Sequence, residues 1–387
     1  MTDTERHGPD SSDGLDVPVE RIDETTAMAL AIRASRAVVG ETSPNPPVGA
    51  VVLDVDGRVV GVGATQPPGG PHAEVVALGR AGTRARGGTA VVTLEPCAHT
   101  GRTPPCTSAL LAAGVARVVV AVEDPNLAAA GGIELLRAAG VEVVTGVERD
   151  DAEAGPLRAW LHRVRTGRPY VTWKTASTLD GRSAAADGTS RWITSPEARA
   201  DVHRLRATVD AVLVGTGTAL ADDPALTVRL PGDASRDAFG GVQGEAQGGV
   251  GNRRQPLRVV MGHRDLPADA RLADGSAPTL HLRSRSPAGV LAALADRGIV
   301  SVLLEGGPTL AGAFLDAGVV DRVVAYIAPA LLGEGAAVLG PSGVGTIAGI
   351  HRLQVQDLGR VGPDIRVDAV PVPRSGHHVH QSGPTGT

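Results

Sequence analysis

The sequence predicts an α/β protein of two layered domains, and three observations carry that expectation. At 387 residues the chain is longer than one hydrophobic core usually serves, so two domains are expected, each able to bury a core of its own. Over residues 25–149 short apolar runs alternate with stretches of helical period, the order that builds a sheet covered by helices. The alternation starts afresh at Pro169-Tyr170-Val171-Thr172-Trp173-Lys174, beyond a helical connection at Asp150–Val164.

Residues 1–24 carry eight acidic and two basic side chains among Pro, Ser and Gly, and read as a disordered tail. A helix over Glu24–Val39 sets Met28, Ile32 and Ser35 on one side and stops at Gly40. Strands follow at Val48–Leu53 and Arg58–Gly63, joined by the turn Asp54-Val55-Asp56-Gly57. A helix opens at His72 and runs to about Arg80; then come the strand Thr89–Leu94, a cysteine loop, the helix Thr107–Ala113 and the strand Ala116–Val122. The helix Gly132–Ala139 and the strand Val141–Thr145 complete the first domain.

Residues 150–168 link it to a second domain at 169–372. There, strands are expected at Ala211–Val214, Leu257–Val260, Ser301–Leu304 and Arg322–Ile327, and helices at Pro196–Arg206, Pro287–Asp296 and Pro308–Ala317. The stretch 231–255 is crowded with Gly, Gln, Asp and Ala, lacks an apolar period and reads as a flexible insertion. Residues 373–387 read as a solvated tail, His377, His378 and His380 included.

Apolar residues make up 42% of the chain without a run of eighteen, and no basic-then-apolar segment opens it. Neither a membrane helix nor a signal peptide is therefore expected, and no membrane partner. A cytoplasmic location is expected, where thiols stay reduced. A net charge of -5 and 2% aromatic residues argue against a nucleic-acid partner, which needs a basic footprint or stacking platforms.

The only two cysteines, Cys97 and Cys106, share the stretch EPCAHTGRTPPC, and His72-Ala73-Glu74 lies upstream. One imidazole and two thiolates are the ligand set of a catalytic zinc, whose fourth tetrahedral position stays open for water. Zinc lowers the pKa of that water, and Glu74, two residues from His72, is placed to carry its proton to a leaving amine. Nucleobase deaminases use H-x-E followed by P-C-x-x-C. Here the first half matches, but eight residues separate the cysteines. A disulfide between them is the bland alternative, and a purely structural zinc is another. The longer loop also carries His99 and Arg102, a pair suited to an anionic substrate such as a nucleotide phosphate.

Together, Thr42–Gly49 (TSPNPPVG), His72–Val75 and the long cysteine loop resemble the bifunctional riboflavin-biosynthesis deaminase/reductase family. The resemblance runs from Thr25 to Val372 apart from the Gly-rich insertion. In the second half it rests on KTASTLDGR (174–182), SRWITS (190–195), LADDPALTVR (220–229) and LEGGPTLAGA (304–313). It implies a cytidine-deaminase-like α/β/α domain with one zinc per chain, followed by a dihydrofolate-reductase-like α/β domain that uses NADPH. It also implies that Asn45, His99 and Arg102 contact a phosphoribosyl-pyrimidine substrate, and that the chain forms a homo-oligomer, a dimer or tetramer.

In the second domain, Glu305-Gly306-Gly307-Pro308-Thr309 follows a strand and opens a helix, which suits an anion at the helix N-terminus. By resemblance, Ala176, Trp192, Thr218, Asp222 and the run Gly307, Pro308, Thr309, Leu310, Ala311, Gly312, Ala313 line the NADPH side. Ser190, Arg206, Leu226, Arg229 and Glu305 line the substrate side, with Arg206 and Arg229 as a phosphate clamp. Lys174 and Asp222 are the candidates for proton delivery. At Gly262-His263-Arg264 the chain departs from the acidic residue and serine typical of the family. Either His263 and its neighbour add positive charge for the 2′-phosphate of NADPH, or the turn has drifted.

Two other functions fit parts of the pattern. A nucleic-acid base deaminase fused to a reductase-like module would need a basic groove and the short cysteine spacing. A non-catalytic zinc platform or ligand sensor would need no working Glu74.

Overall fold

The computed structural model describes residues 21–99, 104–126, 130–230 and 254–373. Its contacts separate into two units. One comprises the chain up to Ala37 with Val48–Thr65 and Gly69–Gly155; the other comprises Val38–Pro47, Gln66–Pro68 and the chain from Pro156 onward.

In the first unit, α1 (Glu24–Ala37) precedes β1 (Gly49–Leu53), β2 (Val59–Ala64), α2 (Ala73–Ala81), β3 (Thr89–Leu94), α3 (Cys106–Ala113), β4 (Arg117–Val122), α4 (Gly132–Ala138), β5 (Glu142–Thr145) and α5 (Arg149–Ala154). The sheet order is β2-β1-β3-β4-β5, with β1 antiparallel to both neighbours and β3, β4 and β5 parallel. Glycines let helices lie directly on it. A Cβ on Gly49 would stand 1.9 Å from the Ala31 oxygen of α1, and one on Gly63 would stand 2.3 Å from the Ala73 oxygen of α2. Gly49 pairs with Ala64 and Gly63 with Ala50, consecutive positions whose side chains point to opposite faces. Thus α1 and α2 cover opposite sides, giving an α/β/α sandwich. Within the stretch expected as tail, residues 1–20 lie outside the described residues, whereas Arg21–Glu24 is structured. The Ile22 N–H donates to the Gly57 oxygen at 3.0 Å, and Glu24 holds the Arg117 guanidinium at 2.6 Å.

The second unit contains α6 (Arg158–Thr166), β6 (Tyr170–Thr178), α7 (Pro196–Ala207), β7 (Ala211–Gly215), α8 (Thr216–Asp222), β8 (Leu257–Met261) and β9 (Thr279–Leu282). It continues with α9 (Pro287–Ala295), β10 (Ser301–Leu304), α10 (Pro308–Asp316), β11 (Arg322–Ala328), β12 (Leu353–Val361) and β13 (Asp364–Pro371). Sheet order is β12-β13-β11-β6-β10-β7-β8-β9, parallel from β11 to β9 and ended by an antiparallel hairpin. Alternate residues serve opposite cores. Val171, Leu213, Val259 and Leu304 pack with Leu291 of α9 and Phe314 of α10, whereas Val212, Val214, Val260 and Leu303 pack with Ala219 of α8 and with Leu226.

Three expectations change. The connecting helix over Asp150–Val164 is two helices, α5 and α6, because Pro156 has no N–H to continue the ladder and crowds the preceding turn. The sequence pattern missed α8 and β9, short elements of seven and four residues. It also missed the β12–β13 hairpin, in which every residue of β12 but the last is exposed, so burial leaves no apolar period. Of the expected insertion, 231–253 lies outside the described residues, but Gln255 is tied to Val228. The His377, His378 and His380 tail also lies outside them.

Candidate active sites

His72 immediately precedes α2 in an extended conformation, φ -73° and ψ 163°. Cys97 lies in the loop leaving β3, and Cys106 is the first, fully buried residue of α3. Their ligand atoms lie within 4.8 Å of one another. Nδ1 of His72 stands 3.2 Å from Cys106 Sγ and 3.7 Å from Cys97 Sγ. Tetrahedral zinc with bonds of about 2.0–2.1 Å to nitrogen and about 2.3 Å to sulfur requires an N···S edge of about 3.6 Å. The two distances bracket that edge, so the donors fit the ion. Both cysteines are free thiols, which removes the disulfide alternative. No fourth His, Cys, Asp or Glu among the described residues joins the group.

The two sulfurs divide unequally. The Cys106 hydrogen bond, reinforced by those from His72 and the Cys106 N–H, outweighs burial and pulls Cys97 down to about 4. The same bond and burial push Cys106 up. A dication binding there would favour the thiolate form of both sulfurs. The Thr107 N–H and hydroxyl both reach the Cys97 carbonyl oxygen at 3.3 Å, fixing the loop.

Glu74 sits on the first turn of α2, only 5% exposed, and touches the Cys106 side chain. Burial pushes its carboxyl up. A second buried acid, Glu95, has a role the sequence pattern did not reveal. Its carboxylate accepts the N–H groups of Asp124 (3.0 Å), Gly131 (2.9 Å) and Ile133 (3.1 Å), tying the base of the cysteine loop to the approach to α4. The only advance signal was an acid directly before Pro96-Cys97. His99 is exposed. Arg102 lies outside the described residues. Asn45 closes the Thr42–Asn45 turn, its N–H on the Thr42 oxygen at 2.9 Å, in a segment grouped with the second unit.

In the second unit the sheet's connectivity reverses between β7 and β10. The chain leads from β7 outward through β8 to β9, then returns to β10 and leaves the other way to β11. Open α/β sheets bind ligands at such a switch point, outside the carboxyl ends of the strands. Across this crevice the Gly307 N–H donates to Thr218 Oγ1 at 3.1 Å. Gly307 is the N-cap of α10 and Pro308, which has no N–H, its first residue; the Leu310 and Ala311 N–H groups return to the Gly307 oxygen, so the Thr309 N–H and the positive end of the helix are what the first turn offers a phosphate oxygen. A Cβ on Gly306 would stand 2.4 Å from Leu310 Cδ2, so a side chain there would have to displace Leu310. Bare glycine backbone, a helix N-terminus and a hydroxyl fit a dinucleotide pyrophosphate. Of the remaining run, Ala311 and Gly312 are buried, Leu310 and Ala313 half-buried and Thr309 exposed.

Beside the crevice, Arg206 of α7 forms a fork with Glu305 at 2.6 and 2.9 Å, and Lys174 Nζ of β6 lies 3.9 Å from the same carboxylate. Burial pushes Glu305 up, but Arg206 and then Lys174 outweigh it and hold the carboxyl at about 2. Burial pushes Lys174 down, against the pull of Glu305. Arg206 also donates to the Thr227 carbonyl at 3.1 Å, and Arg229 donates to Thr227 Oγ1 at 2.9 Å. Leu226 has φ 53° and a buried side chain in the core, which leaves its backbone as the part able to face a ligand.

The other expected residues spread around this cluster. Trp192 is 69% exposed, with the Arg199 guanidinium 4.3 Å over its ring, and Ser190 is half-buried in the same loop. Asp222 ends α8 and its carbonyl accepts from Arg191. Ala176 lies on β6 against the core that holds Val202 of α7. His263 is exposed in the turn after β8, its carbonyl taken by Arg283 at 2.9 Å.

Comparison with known proteins matches both halves. Residues 21–122 match the cytidine and deoxycytidylate deaminase zinc-binding region, and residues 169–367 match the RibD C-terminal domain. The riboflavin biosynthesis protein RibD of Mycobacterium tuberculosis is 53% identical over 352 residues, covering 91% of this chain and 98% of that protein. The chain belongs to the RibD family. Its Escherichia coli relative, also RibD, is 41% identical over 369 residues, covering 87% of this chain and 96% of that protein. The structure of Acinetobacter baumannii RibD superimposes with a TM-score of 0.80 at 37% identity, over 90% of this chain and 99% of that one. A Thermotoga maritima structure described as a diaminohydroxyphosphoribosylaminopyrimidine deaminase/5-amino-6-(5-phosphoribosylamino)uracil reductase gives 0.80 at 33% identity, with the same coverage.

RibD chains join a deaminase to a reductase, and both domains are present here. This RibD chain is a riboflavin-biosynthesis deaminase/reductase, with a zinc site at His72, Cys97 and Cys106 and an NADPH-using second domain. Among the described residues, no helix is long and apolar enough to cross a membrane.

Proposed function

We propose that the first unit removes the 2-amino group of 2,5-diamino-6-(5-phosphoribosylamino)pyrimidin-4(3H)-one as ammonia, and that the second reduces the ribosyl group of the product to a ribityl chain. The observation that carries the first step is the three-donor cluster with Glu74 buried beside it. When bound, zinc ionises a water near neutral pH. Glu74 takes up the proton set free and hands it to the departing amine. Thr107 and Glu95 keep the cysteine loop in place while this happens. Asn45, His99 and Arg102 bind the phosphoribosyl-pyrimidine; the family resemblance and the exposure of His99 support them.

In the second step NADPH, when bound, supplies the hydride. The first turn of α10 and Thr218 hold its pyrophosphate, and Ala176, Trp192 and Asp222 flank it. The turn Gly262-His263-Arg264 favours NADPH over NADH; the position of the Arg264 guanidinium, 3.3 Å from where a Gly217 Cβ would stand, supports this. Ser190, the Leu226 backbone and Glu305 orient the sugar, and Arg206 and Arg229 face its phosphate. Lys174, a half-buried ammonium pushed towards releasing its proton, serves the sugar carbonyl or imine with Asp222.

We place the enzyme in the cytoplasm as a homo-oligomer, dimer or tetramer. The edge strand β12 supports self-association, since it leaves Val355 57% and Leu358 63% exposed beside unpaired backbone.

The test is incubation of purified protein with the diaminopyrimidine phosphate, with and without NADPH, followed by mass spectrometry. The exchange of amino for carbonyl should appear in both samples, and a gain of two hydrogens only with NADPH. An unchanged mass in both would reject the assignment.

A further inference from the structure

We propose that His203 is a positioning residue of the reductase site, holding the main chain of Arg229 and thereby aiming its guanidinium at the substrate phosphate. The inference rests on the reading of Arg229 as a phosphate ligand and adds the residue that sets it.

Residues 225–229 belong to no strand, so the sheet ladder does not satisfy their backbone. Side chains take its place. Arg258 donates to the Ala225 carbonyl at 3.4 Å, and Arg206 to that of Thr227 at 3.1 Å. Gln255 accepts the Val228 N–H at 2.8 Å and donates to its carbonyl at 3.3 Å. The Arg229 N–H donates to His203 Nδ1 at 3.2 Å. His203 and Arg206 stand three residues apart on α7, hence on one face of the helix. One helical face therefore grips the segment at Thr227 and again at Arg229.

The grip at Arg229 requires an unprotonated Nδ1, which places the ring proton on Nε2. The surroundings enforce that form. Burial, then Arg206 on its own helix and Arg229 on the facing segment, push His203 down to about 4, against Glu305 after β10 and the Thr227 backbone. Lys174 of β6, across Glu305, adds a further positive charge to the cluster. His203 is thus held neutral among three cations near pH 7.

The test uses the full zinc-loaded chain and steady-state reduction of two substrates, the deaminated ribosylamino-pyrimidine phosphate and its dephosphorylated counterpart. Deamination by the same chain and NADPH binding report on folding. One lost hydrogen bond corresponds to roughly a three- to tenfold change. His203→Leu should raise KM for the phosphorylated substrate by that factor, change kcat by less than about twofold and leave the dephosphorylated substrate unaffected. His203→Asn carries its Oδ1 where Nδ1 stood and should restore most of the loss. Equal effects on both substrates, or equal behaviour of Leu and Asn, would overturn the proposal. If the Leu chain loses NADPH binding, His203→Gln replaces it, because its oxygen reaches beyond the Nδ1 position; Gln matching Asn is then the overturning result. Arg229→Gln separates the two levels of inference. An unchanged KM in that chain removes the phosphate-ligand reading itself, whatever His203 does.

Discussion

Glu305 is where the charge balance of the reductase site can be measured. Its side chain is 7% exposed and faces the Arg206 fork at 2.6 and 2.9 Å, with Lys174 at 3.9 Å. Replacing it by Gln keeps the shape and removes the charge. Two routes give the magnitude. Lowering the carboxyl from 4.5 to about 2 corresponds to about 3 kcal/mol of preference for the ionised form. Removing one partner of a buried ion pair typically costs about 3–5 kcal/mol, since the other charge is left uncompensated. A loss of about 3 kcal/mol at pH 7 should lower the melting temperature of the second unit by roughly 6–12 °C. The sign with pH is fixed as well. A carboxyl held below its ordinary value stabilises the fold above about pH 4.5, and that contribution fades as pH falls towards 2. Calorimetry of Glu305→Gln against the parent at several pH values should show a gap that is full at pH 7 and narrows below pH 4.5. A gap under about 1 kcal/mol at pH 7, or one indifferent to pH, would refute the reasoning.

Three further outcomes are expected. Glu74→Gln should cut ammonia release at least about a hundredfold while zinc content, read by atomic absorption, and reduction stay unchanged; retained deamination would leave the zinc a scaffold. Cys106→Ser should lose zinc to a chelator that leaves the parent loaded, because a buried thiolate ligand and its place at the start of α3 go together. Lys174→Met should abolish most reduction with deamination intact, and reduction at the parent rate would reject its role in proton delivery.

The first site was legible because its parts are local. His72 and Glu74 share one helix start, and the two cysteines bracket a single loop whose far end opens α3. Residue type and spacing were enough to name candidate metal donors, and the structure brings His72 Nδ1 to 3.2 and 3.7 Å from the two sulfurs. Glu95 was not legible, because its work is done on backbone N–H groups 29 to 38 residues away, and no side-chain motif encodes those acceptors. Most helices and strands with a buried face were found to within a residue or two, although α8, which buries Ala219, was missed. The β12–β13 hairpin was not, since a strand exposed on both faces carries no hydrophobic alternation; Gly362, at φ 58° in its two-residue turn, was the available clue.

The reductase site shows the opposite case. Lys174 lies on β6, His203 and Arg206 on α7, Arg229 in the segment after α8 and Glu305 in the loop after β10, so no local motif gathers them. What unites them is the return of the chain from β9 to β10, which lays Glu305 between β6 and α7. Family resemblance supplied Arg206, Arg229 and Glu305, and Lys174 was a candidate for proton delivery, yet neither gave the reason they meet. It passed over His203, whose importance comes from a backbone N–H that the sheet does not satisfy. A neutral histidine among cations looks like a packing residue when only its own helix is considered. Once the backbone of 225–229, which belongs to no strand, is followed group by group, it becomes one of the side chains that hold this segment in place.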